Sequence, residues 1–368
     1  MKQKENGIIG GGLAGLSLAI LLARQGKEVV LWEKAAFPAH RVCGEYISKE
    51  SLPFLMTLLP DFPWRDVPHI DTLVLSAPSG KILKQKLDSG GIGISRYRLD
   101  AALAEMARAE GVTIVENCRI LDWSEDPDGF DVYSAEEKWR CKSLFLASGK
   151  GKIPGETAAK TSIRRNFVGV KYHIRFEHPA DEIQLHNFRN GYCGMSRVED
   201  GISCLCYMAD AAELRACGND VKKLESKVLS ANPLLRKIFS EAEFLWPAPK
   251  VISGLRFGER TGLMGNAVLL GDAAGSIAPL TGNGMSMALR ASYGLAMMLA
   301  EPGEGIKKME AYASFRKEHF KNRILAGSVI QDFFGNEGVT EAALGILRIA
   351  PSWLRNKIIE STHGKPFG

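Results

Sequence analysis

The stretch Gly7-Ile8-Ile9-Gly10-Gly11-Gly12-Leu13-Ala14-Gly15 decides the fold, because closely spaced glycines join an apolar strand to a helix. In this GxGxxG pattern the first glycine allows a sharp turn, the second lets a pyrophosphate approach the backbone, and the third lets helix and strand pack closely. The helix start offers free N–H groups and a partial positive charge. The pattern predicts a dinucleotide-phosphate site built by Gly10, Gly12, Leu13, Ala14 and Gly15.

The residues that follow complete a βαβ unit. Residues 13–24 have helical periodicity, Gly26 is suited to end that helix, and residues 28–32 are typical of a second buried strand. The intervening helix makes the two strands parallel. Glu33 comes eighteen residues after Gly15, where a carboxylate can accept hydrogen bonds from ribose hydroxyls.

Composition excludes several classes of protein. The chain has 368 residues, a net charge of +5 and 45% hydrophobic residues, which is typical of a globular enzyme of two or three packed units. The mild positive charge forms no dense basic block, so we expect no nucleic-acid partner. The seven cysteines are irregularly spaced and form no CxxC, which predicts reduced thiols and a cytoplasmic location. The histidines show no metal-ligand spacing, so we expect no metal.

The pattern changes along the chain. Residues 167–208 read as an antiparallel meander with turns at Asn190-Gly191 and at residues 199–201, whereas α/β sequence lies on both sides of it. We therefore predict an α/β fold with a discontinuous Rossmann-type domain, an inserted antiparallel β-sheet substrate domain and a helical C-terminus. The predicted boundaries are 1–68, 95–160 and 250–330 for the nucleotide domain, 69–94 and 161–249 for the substrate domain, and 331–368 for the C-terminal segment.

A second motif, Leu269-Leu270-Gly271-Asp272-Ala273-Ala274-Gly275, is followed by Pro279, Gly282 and Gly284. It resembles the second FAD signature of the p-hydroxybenzoate hydroxylase-fold flavoenzymes. In that superfamily the aspartate contacts the ribityl chain and the glycine-rich helix start faces the isoalloxazine. The resemblance assigns these roles to Gly271 and Asp272, and to Gly282, Asn283, Gly284 and Met285. N–H groups at a helix start stabilise negative charge on a reduced flavin.

The run Arg96-Tyr97-Arg98-Leu99-Asp100 resembles the R-x-x-L-D helix start of the same superfamily, in which the arginine lies near the FAD phosphates or ribose. An arginine is a common charge-assisted partner of phosphate. The alternative is an ordinary cation at a helix start, a place that the helix dipole disfavours. We therefore predict that Arg96 binds the cofactor.

The loop of residues 38–45 contains Arg41, Cys43, Gly44 and Glu45. It resembles the loop of geranylgeranyl reductase-like flavoproteins, in which a Cys-Gly pair approaches the flavin, although Glu45 departs from their more usual Cys-Gly-Gly. A carboxylate there could act as proton donor or base if burial raised its pKa. Cys43 and Glu45 are therefore candidate catalytic residues, with packing of Cys43 as the alternative. Lys34, Arg41 and Gly44 complete the predicted cofactor-binding set.

Two departures from the superfamily bear on the reaction. Its aromatic hydroxylases carry an Asp-Gly motif that serves FAD and NADPH, but the corresponding strand end reads Ala147-Ser148-Gly149-Lys150-Gly151-Lys152. The missing aspartate puts an intrinsic NADPH half-reaction in doubt. NAD(P)H, a separate flavin reductase and a ferredoxin are therefore the candidate electron donors. The Trp-x-Trp-x-x-Ile-Pro string of the halogenases does not occur, which disfavours halogenation.

Three functions remain open at this stage. FAD could support hydroxylation of an aromatic or polyketide-like substrate, or reduction of a double bond in a hydrophobic lipid-like substrate; fold-level analogy does not decide between them. The third is a flavin-binding or electron-transfer protein without catalysis. The amphipathic segment from Gly338 is expected to pack on the flavin domain, with capping of the substrate cavity or contact with a membrane surface as alternatives. Residues Gly191-Tyr192-Cys193-Gly194-Met195 either line the substrate cavity or form an ordinary hairpin strand.

Overall fold

The GxGxxG segment forms the turn between the first strand and the first helix. The computed structural model describes residues 2–150, 153–155, 166–255, 258–259, 262–276, 282–302, 305–333 and 336–368. The strands are, in chain order, β1 (Lys2–Ile9), β2 (Val29–Trp32), β3 (Tyr46–Ser48), β4 (His69–Ser76), β5 (Ile82–Gly93), β6 (Thr113–Val115), β7 (Asp122–Asp126), β8 (Gly129–Tyr133), β9 (Lys138–Leu146), β10 (Phe167–Arg175), β11 (Glu182–Phe188), β12 (Gly191–Arg197), β13 (Ser203–Asp210), β14 (Glu243–Phe244), β15 (Lys250–Leu255), β16 (Gly258–Glu259), β17 (Leu263–Met264), β18 (Ala267–Leu269) and β19 (Gly275–Ser276). The helices are α1 (Leu13–Arg24), α2 (Leu52–Leu58), α3 (Arg96–Ala109), α4 (Ala211–Ala216), α5 (Val221–Lys227), α6 (Pro233–Glu241), α7 (Gly284–Ala300), α8 (Gly305–Phe333), α9 (Glu337–Ile349) and α10 (Ser352–Glu360).

The first sheet carries the predicted βαβ unit. Its order is β17-β18-β9-β1-β2-β6, and β8 joins β9 to β7. Strands β18, β9, β1, β2 and β6 run parallel. Helix α1 packs against α3 and α7, and Leu16, Leu18 and Ile20 are completely buried. Each such side chain contributes about 1.5–3 kcal/mol on burial, so the helix that follows the glycine loop is firmly anchored.

The second sheet is mainly antiparallel and has the order β14-β10-β13-β12-β11-β4-β5-β3, with β15 beside β10. Because side chains alternate along a strand, β10 presents two different faces. Val170 and Tyr172 pack with α5 and α6 residues in one apolar cluster. Lys171 and His173 point to the opposite face, where their neighbours on β13 are Cys206 and Cys204.

The predicted fold class is confirmed: a Rossmann-type α/β unit built from separated segments is combined with an inserted antiparallel sheet and a helical C-terminal part. The strands of the first sheet come from residues 2–32, 113–146 and 263–269, and those of the second from residues 46–93 and 167–255. The domain boundaries themselves stay predictions. Within the described residues, no helix is long and apolar enough to cross a membrane.

Two local predictions were wrong. The sequence pattern of residues 47–59 predicts a helix limited or kinked by Pro53, but Tyr46–Ser48 is a strand paired with β5, and α2 begins at Leu52 because Pro53 suits the first turn of a helix. The sequence of residues 211–242 predicts a helix with one interruption, near Asn232-Pro233. The chain instead forms α4, α5 and α6, since Gly218 and Asn219 adopt positive φ between the first two and Pro233 starts the third.

The C-terminal helices do not all pack where the sequence suggested. Helix α8 packs on α7, whereas α9 and α10 contact β5 of the second sheet. Leu344 of α9 is buried with Leu75, Tyr192 and Met208 of that sheet. Packing on the nucleotide-binding side begins after α10, where the carbonyl of Thr362 accepts a hydrogen bond from Asn283 (2.8 Å).

Candidate functional site

The glycine loop has the shape that a phosphate site requires. Gly10 has φ of +111°, and a side chain there would collide with the carbonyl of Ala147; one at Gly15 would collide with the carbonyl of Gly10. Gly12 differs, because its added Cβ would meet only the Arg96 guanidinium, at 3.6 Å. Helix α1 has no side-chain cap and no acidic residue in its first turn. Its N–H groups, including those of Leu13 and Ala14, therefore face a space bordered by a cation.

Glu33 lies at the same turn. Its side chain is buried, and its Oε2 accepts a hydrogen bond from the Gly11 N–H (2.8 Å). Arg41 lies 3.2 Å from the other carboxylate oxygen. The predicted ribose acceptor is therefore fixed beside the phosphate loop, whereas the side chain of Lys34 is exposed to solvent.

Arg96 is the first residue of α3 and is held by a two-pronged ion pair. Its Nε and Nη2 donate to the two carboxylate oxygens of Asp100, each at 2.7 Å. Burial lowers the pKa of Arg96, but Asp100 raises it above the usual range. Arg41 also approaches Asp100, at 3.8 Å. The guanidinium is thus a fixed positive charge beside Gly12, where the sequence placed a phosphate partner.

The second motif, residues 269–275, lies next to the GxGxxG motif in the structure. Gly271, with φ of +58°, lies so close to Ala14 that an added Cβ would be 3.1 Å from the Ala14 methyl. Asp272 follows in a short 3₁₀ turn, partly exposed, with the Lys150 ammonium 4.0 Å from its carboxylate. Pro279, Gly151 and Lys152 lie outside the described residues.

The start of α7 carries unpaired polar atoms. Gly282 has φ of +67° and leaves no room for a side chain beside Tyr46. Asn283 is completely buried, and its Oδ1, like the Oγ of Ser286, makes no hydrogen bond within the described part of the chain. Buried polar atoms are rarely left unpaired. Gly284 and Met285 begin the helix here, so this segment fits a ligand rich in hydrogen-bonding groups.

These features together fit FAD, with a phosphate cradle at Gly12, a cation at Arg96, an acceptor at Glu33 and unpaired atoms at Asn283. The predicted cofactor-binding residues lie in segments that the structure brings together, apart from the outward-facing Lys34. Their individual roles stay predictions.

The Cys43-Gly44-Glu45 loop adjoins the start of α7. Cys43 Sγ lies 3.5 Å from Met285 Sδ, and Gly44 has no atom within 4 Å of the position of a Cβ. The Gly44 carbonyl accepts a hydrogen bond from Ser196 of the second sheet (3.3 Å). The loop therefore bridges the two sheets and leaves open space at Gly44.

Glu45 is completely buried within an ionic cluster. Its Oε1 lies 2.5 Å from Lys171 Nζ, and its Oε2 lies 2.7 Å from His173 Nε2. The backbone N–H of Arg96 also donates to Oε1, at 2.7 Å. Glu45 itself adopts φ of +56°, a conformation that a non-glycine residue rarely takes and that clusters at functional sites.

An acid–base role of Glu45 depended, in the sequence analysis, on burial raising its pKa, and this expectation was wrong. Burial acts in that direction, but Lys171 and His173 outweigh it and lower the pKa of Glu45 to about 2. Burial lowers the pKa of Lys171, whereas Cys204 and Glu45 raise it, and the net direction is upward. Glu45 is therefore a carboxylate at neutral pH, and the exchangeable protons of the cluster lie on its partners.

In the sequence analysis, no functional role was assigned to Lys171, His173 or His40. His40 stacks on Tyr97 (4.5 Å between ring centroids) and contacts Trp246 (4.5 Å), which in turn stacks on His173 (4.7 Å). Burial, with Lys171 and His173 nearby, lowers the pKa of His40 to about 4. One feature of the sequence could have indicated this site. Lys171 and His173 are two residues apart and therefore lie on one face of a strand whose other face is apolar.

A metal ion is one further interpretation of the same atoms. Glu45, His173 and Cys204 have donor atoms within 4.8 Å of one another. The Lys171 ammonium already binds that carboxylate, and burial holds the pKa of Cys204 well above its usual value, so the thiol keeps its proton. The arrangement favours an ionic, proton-carrying cluster over a cation site.

The remaining candidates lie on the same sheet. All seven cysteines are free thiols, and Cys204 Sγ donates to the carbonyl of Cys43 (3.2 Å). Gly191–Arg197 forms β12, and Tyr192 and Gly194 pair with Met208 and Cys206 of β13. Both alternatives for this segment, a cavity wall and an ordinary strand, are compatible with that position.

Comparison with known proteins gives a consistent picture. A profile for the NAD(P)-binding Rossmann-like domain matches residues 8–44. Conditioned medium factor receptor 1 of Dictyostelium discoideum is 24% identical over 77% of this chain and 61% of its own length. Menaquinone reductase of Mycolicibacterium smegmatis is 22% identical over 85% of this chain and 80% of its own length. The chain spans 44% to 61% of the length of the first three curated relatives that it matches.

Solved structures share the whole architecture. The flavin-dependent brominase Bmp2 superimposes with a TM-score of 0.80, covering 100% of this chain and 95% of the brominase at 15% identity. A geranylgeranyl bacteriochlorophyll reductase-like protein of Thermoplasma acidophilum superimposes with a TM-score of 0.74, covering 99% of this chain and 93% of that one at 17% identity. At these identities the likeness establishes the fold.

Proposed function

We propose that this chain, which has the fold of the p-hydroxybenzoate hydroxylase-type flavoproteins, binds FAD and uses it to reduce a carbon–carbon double bond of a hydrophobic, lipid-like molecule. The proposal rests on one observation above all. A buried ionic cluster, Glu45 with Lys171 and His173, lies directly behind the open loop at Cys43 and Gly44. The menaquinone reductase and the geranylgeranyl reductase-like protein are named for reductive reactions, which supports the same direction.

Such a reduction needs a proton as well as electrons. FAD held at the glycine loop and the start of α7 would, in its reduced form, supply the hydride for one carbon of the double bond, and the protein must supply a proton to the other. We assign that proton to the cluster, through His173, because its side chain is 6% exposed whereas Lys171 is completely enclosed. Glu45 stabilises the positive charge of Lys171 and fixes the His173 ring through a 2.7 Å hydrogen bond.

The other candidates fit the chain less well. The sequence lacks the Trp-x-Trp-x-x-Ile-Pro string of the halogenases, although the brominase shares the fold. The strand end at Ala147-Ser148-Gly149 lacks the aspartate that serves NADPH in the hydroxylases. We propose that electrons come from reduced nicotinamide, a separate flavin reductase or a ferredoxin.

An anaerobic single-turnover experiment tests the proposal. The FAD-loaded protein is reduced with one equivalent of dithionite and mixed with geranylgeraniol, and the return of the oxidised flavin band is followed together with the product. We expect reoxidation and a product carrying two more hydrogens. His173→Gln is expected to retain FAD and to slow reoxidation about a hundredfold, the scale of general acid catalysis.

His186→Gln is the matched control. His186 is a buried histidine of the same sheet that bonds Ser76 (2.9 Å), away from Glu45, so its replacement should leave the rate unchanged. Two results would contradict the proposal. One is a hydroxylated product formed only with oxygen; the other is reduced, bound FAD that geranylgeraniol does not reoxidise.

A further inference from the structure

The hairpin of α9 and α10 has two unlike sides. Thr340 and Leu344 of α9 are buried. The opposite side exposes large apolar residues at the end of α9 and the start of α10: Ile346 is 65% exposed, Ile349 86% and Trp353 65%. Single exposed apolar residues are ordinary on a protein surface, but here they flank one bend, Ala350-Pro351. We call residues 346–358 the apolar tip.

The charged side chains of the apolar tip itself are all basic, whereas acidic residues such as Asp88 and Glu360 flank it. Residues 342–359 contain Arg348, Arg355 and Lys357 and no aspartate or glutamate. Arg348 and Lys357 are exposed, and within the described residues neither is paired with a carboxylate. Cations beside an apolar surface complement the negative charge of anionic lipid headgroups, to which each contributes about 1 kcal/mol.

The composition of the apolar tip also suits an interface between lipid and water. Tryptophan is enriched at that boundary, since its ring is apolar and its N–H polar. Ile349 and Trp353 would each gain about 1.5–3 kcal/mol on leaving water. Leu354 and Ile358, spaced by one helical turn on α10, are 37% and 40% exposed and extend the surface.

The apolar tip adjoins the candidate site through the second sheet. The buried side of α9 covers the apolar part of the sheet face formed by Leu75, Tyr192 and Met208. Met208 belongs to β13, and further along the same face of that strand Cys206 and Cys204 pair with Lys171 and His173. A membrane bound at the apolar tip would therefore lie against the helix that covers one end of this sheet face.

We propose that the apolar tip docks this protein on the surface of an anionic lipid bilayer. Ile349 and Trp353 enter the headgroup region, and Arg348 and Lys357 contact the phosphates. The docking surface is independent of the flavin chemistry, since it involves none of the residues assigned to the cofactor or to the cluster.

Co-sedimentation of the FAD-loaded full chain with vesicles tests the proposal. We compare vesicles of phosphatidylcholine alone with vesicles that also contain phosphatidylglycerol. We expect binding to the anionic vesicles, a decrease of at least tenfold for the double variant Ile349→Glu with Trp353→Glu, and a similar decrease for Arg348→Glu with Lys357→Glu. Retained FAD and an unchanged unfolding midpoint show that each variant is folded.

Leu121→Glu is the matched control, because Leu121 is an apolar residue that is 56% exposed next to β7 of the other sheet. It should bind vesicles like the unmodified chain. Absence of binding to both kinds of vesicle would overturn the proposal, as would equal binding by the double variant. A dimer in solution that the double variant dissociates, without any vesicle binding, would identify a second copy as the partner instead.

Discussion

Gly10 and Gly12 lie two residues apart in one loop, yet their missing side chains have opposite surroundings. A methyl group at Gly10 would collide with the Ala147 carbonyl, whereas one at Gly12 would face open space and the Arg96 guanidinium at 3.6 Å. The fold therefore requires a glycine at position 10, whereas the space at position 12 fits the phosphate-binding role predicted for it. The sequence pattern predicted both roles, because the GxGxxG motif ties each to a fixed position.

The unfolding free energy of Gly10→Ala tests this distinction. At Gly10 both the backbone angle, φ of +111°, and the contact with Ala147 oppose a side chain, so we expect a loss of about 3 kcal/mol or more. Gly26 also has a positive φ, +75°, but no atom within 4 Å of an added Cβ. Gly26→Ala should therefore cost only about 1 kcal/mol. Equal shifts in the two urea midpoints would rule out steric exclusion at Gly10.

Among helices and strands, those determined by nearby residues in the sequence could be predicted. Helix α1 begins at Leu13 and ends at Arg24 as predicted, since its apolar pattern and flanking glycines are local. Strand β3 was mistaken for helix because its pairing partner, Gly91–Gly93, lies more than forty residues away. The cluster around Glu45 could not be predicted for the same reason, because its partners lie 126 and 128 residues further along the chain.

The ionic cluster ties the loop after β2 to strand β10, and this link depends on pH. The pKa of Glu45 falls from its usual 4.5 to about 2 on folding, so its contribution is present above pH 4.5 and is lost as the pH falls toward 2. We expect Glu45→Gln to lower the unfolding free energy by about 3 kcal/mol at pH 7. The difference between the two proteins should shrink between pH 4.5 and 2.

Glu241→Gln is the control for this titration. Glu241 forms an exposed pair with Lys237 at 3.9 Å, and exposed pairs contribute about 0–1 kcal/mol, so its replacement should change little at any pH. If Glu45→Gln were as stable as the unmodified chain at pH 7, the contacts of Glu45 with Lys171 and His173 would not stabilise the fold.

At the scale of the whole molecule, two motifs more than 250 residues apart in sequence form one continuous site. Gly271 touches Ala14, Ser292 of α7 donates to the Ala14 carbonyl (2.8 Å), and α7 packs along α1. The sequence predicted each motif and the discontinuous domain that unites them. It could not predict how the C-terminal hairpin packs, because an amphipathic helix fits any apolar surface of suitable shape.

FAD titration of the purified chain tests the central claim most directly. Gly12→Ala and Asp272→Ala are measured beside the unmodified protein, because the first adds only a methyl group in open space and the second removes a partly exposed carboxylate. Both should keep the unfolding midpoint and bind FAD at least tenfold more weakly, while the unmodified chain binds a single equivalent. A chain that binds no FAD, or variants that bind it as well as the unmodified protein, would contradict the cofactor site described above.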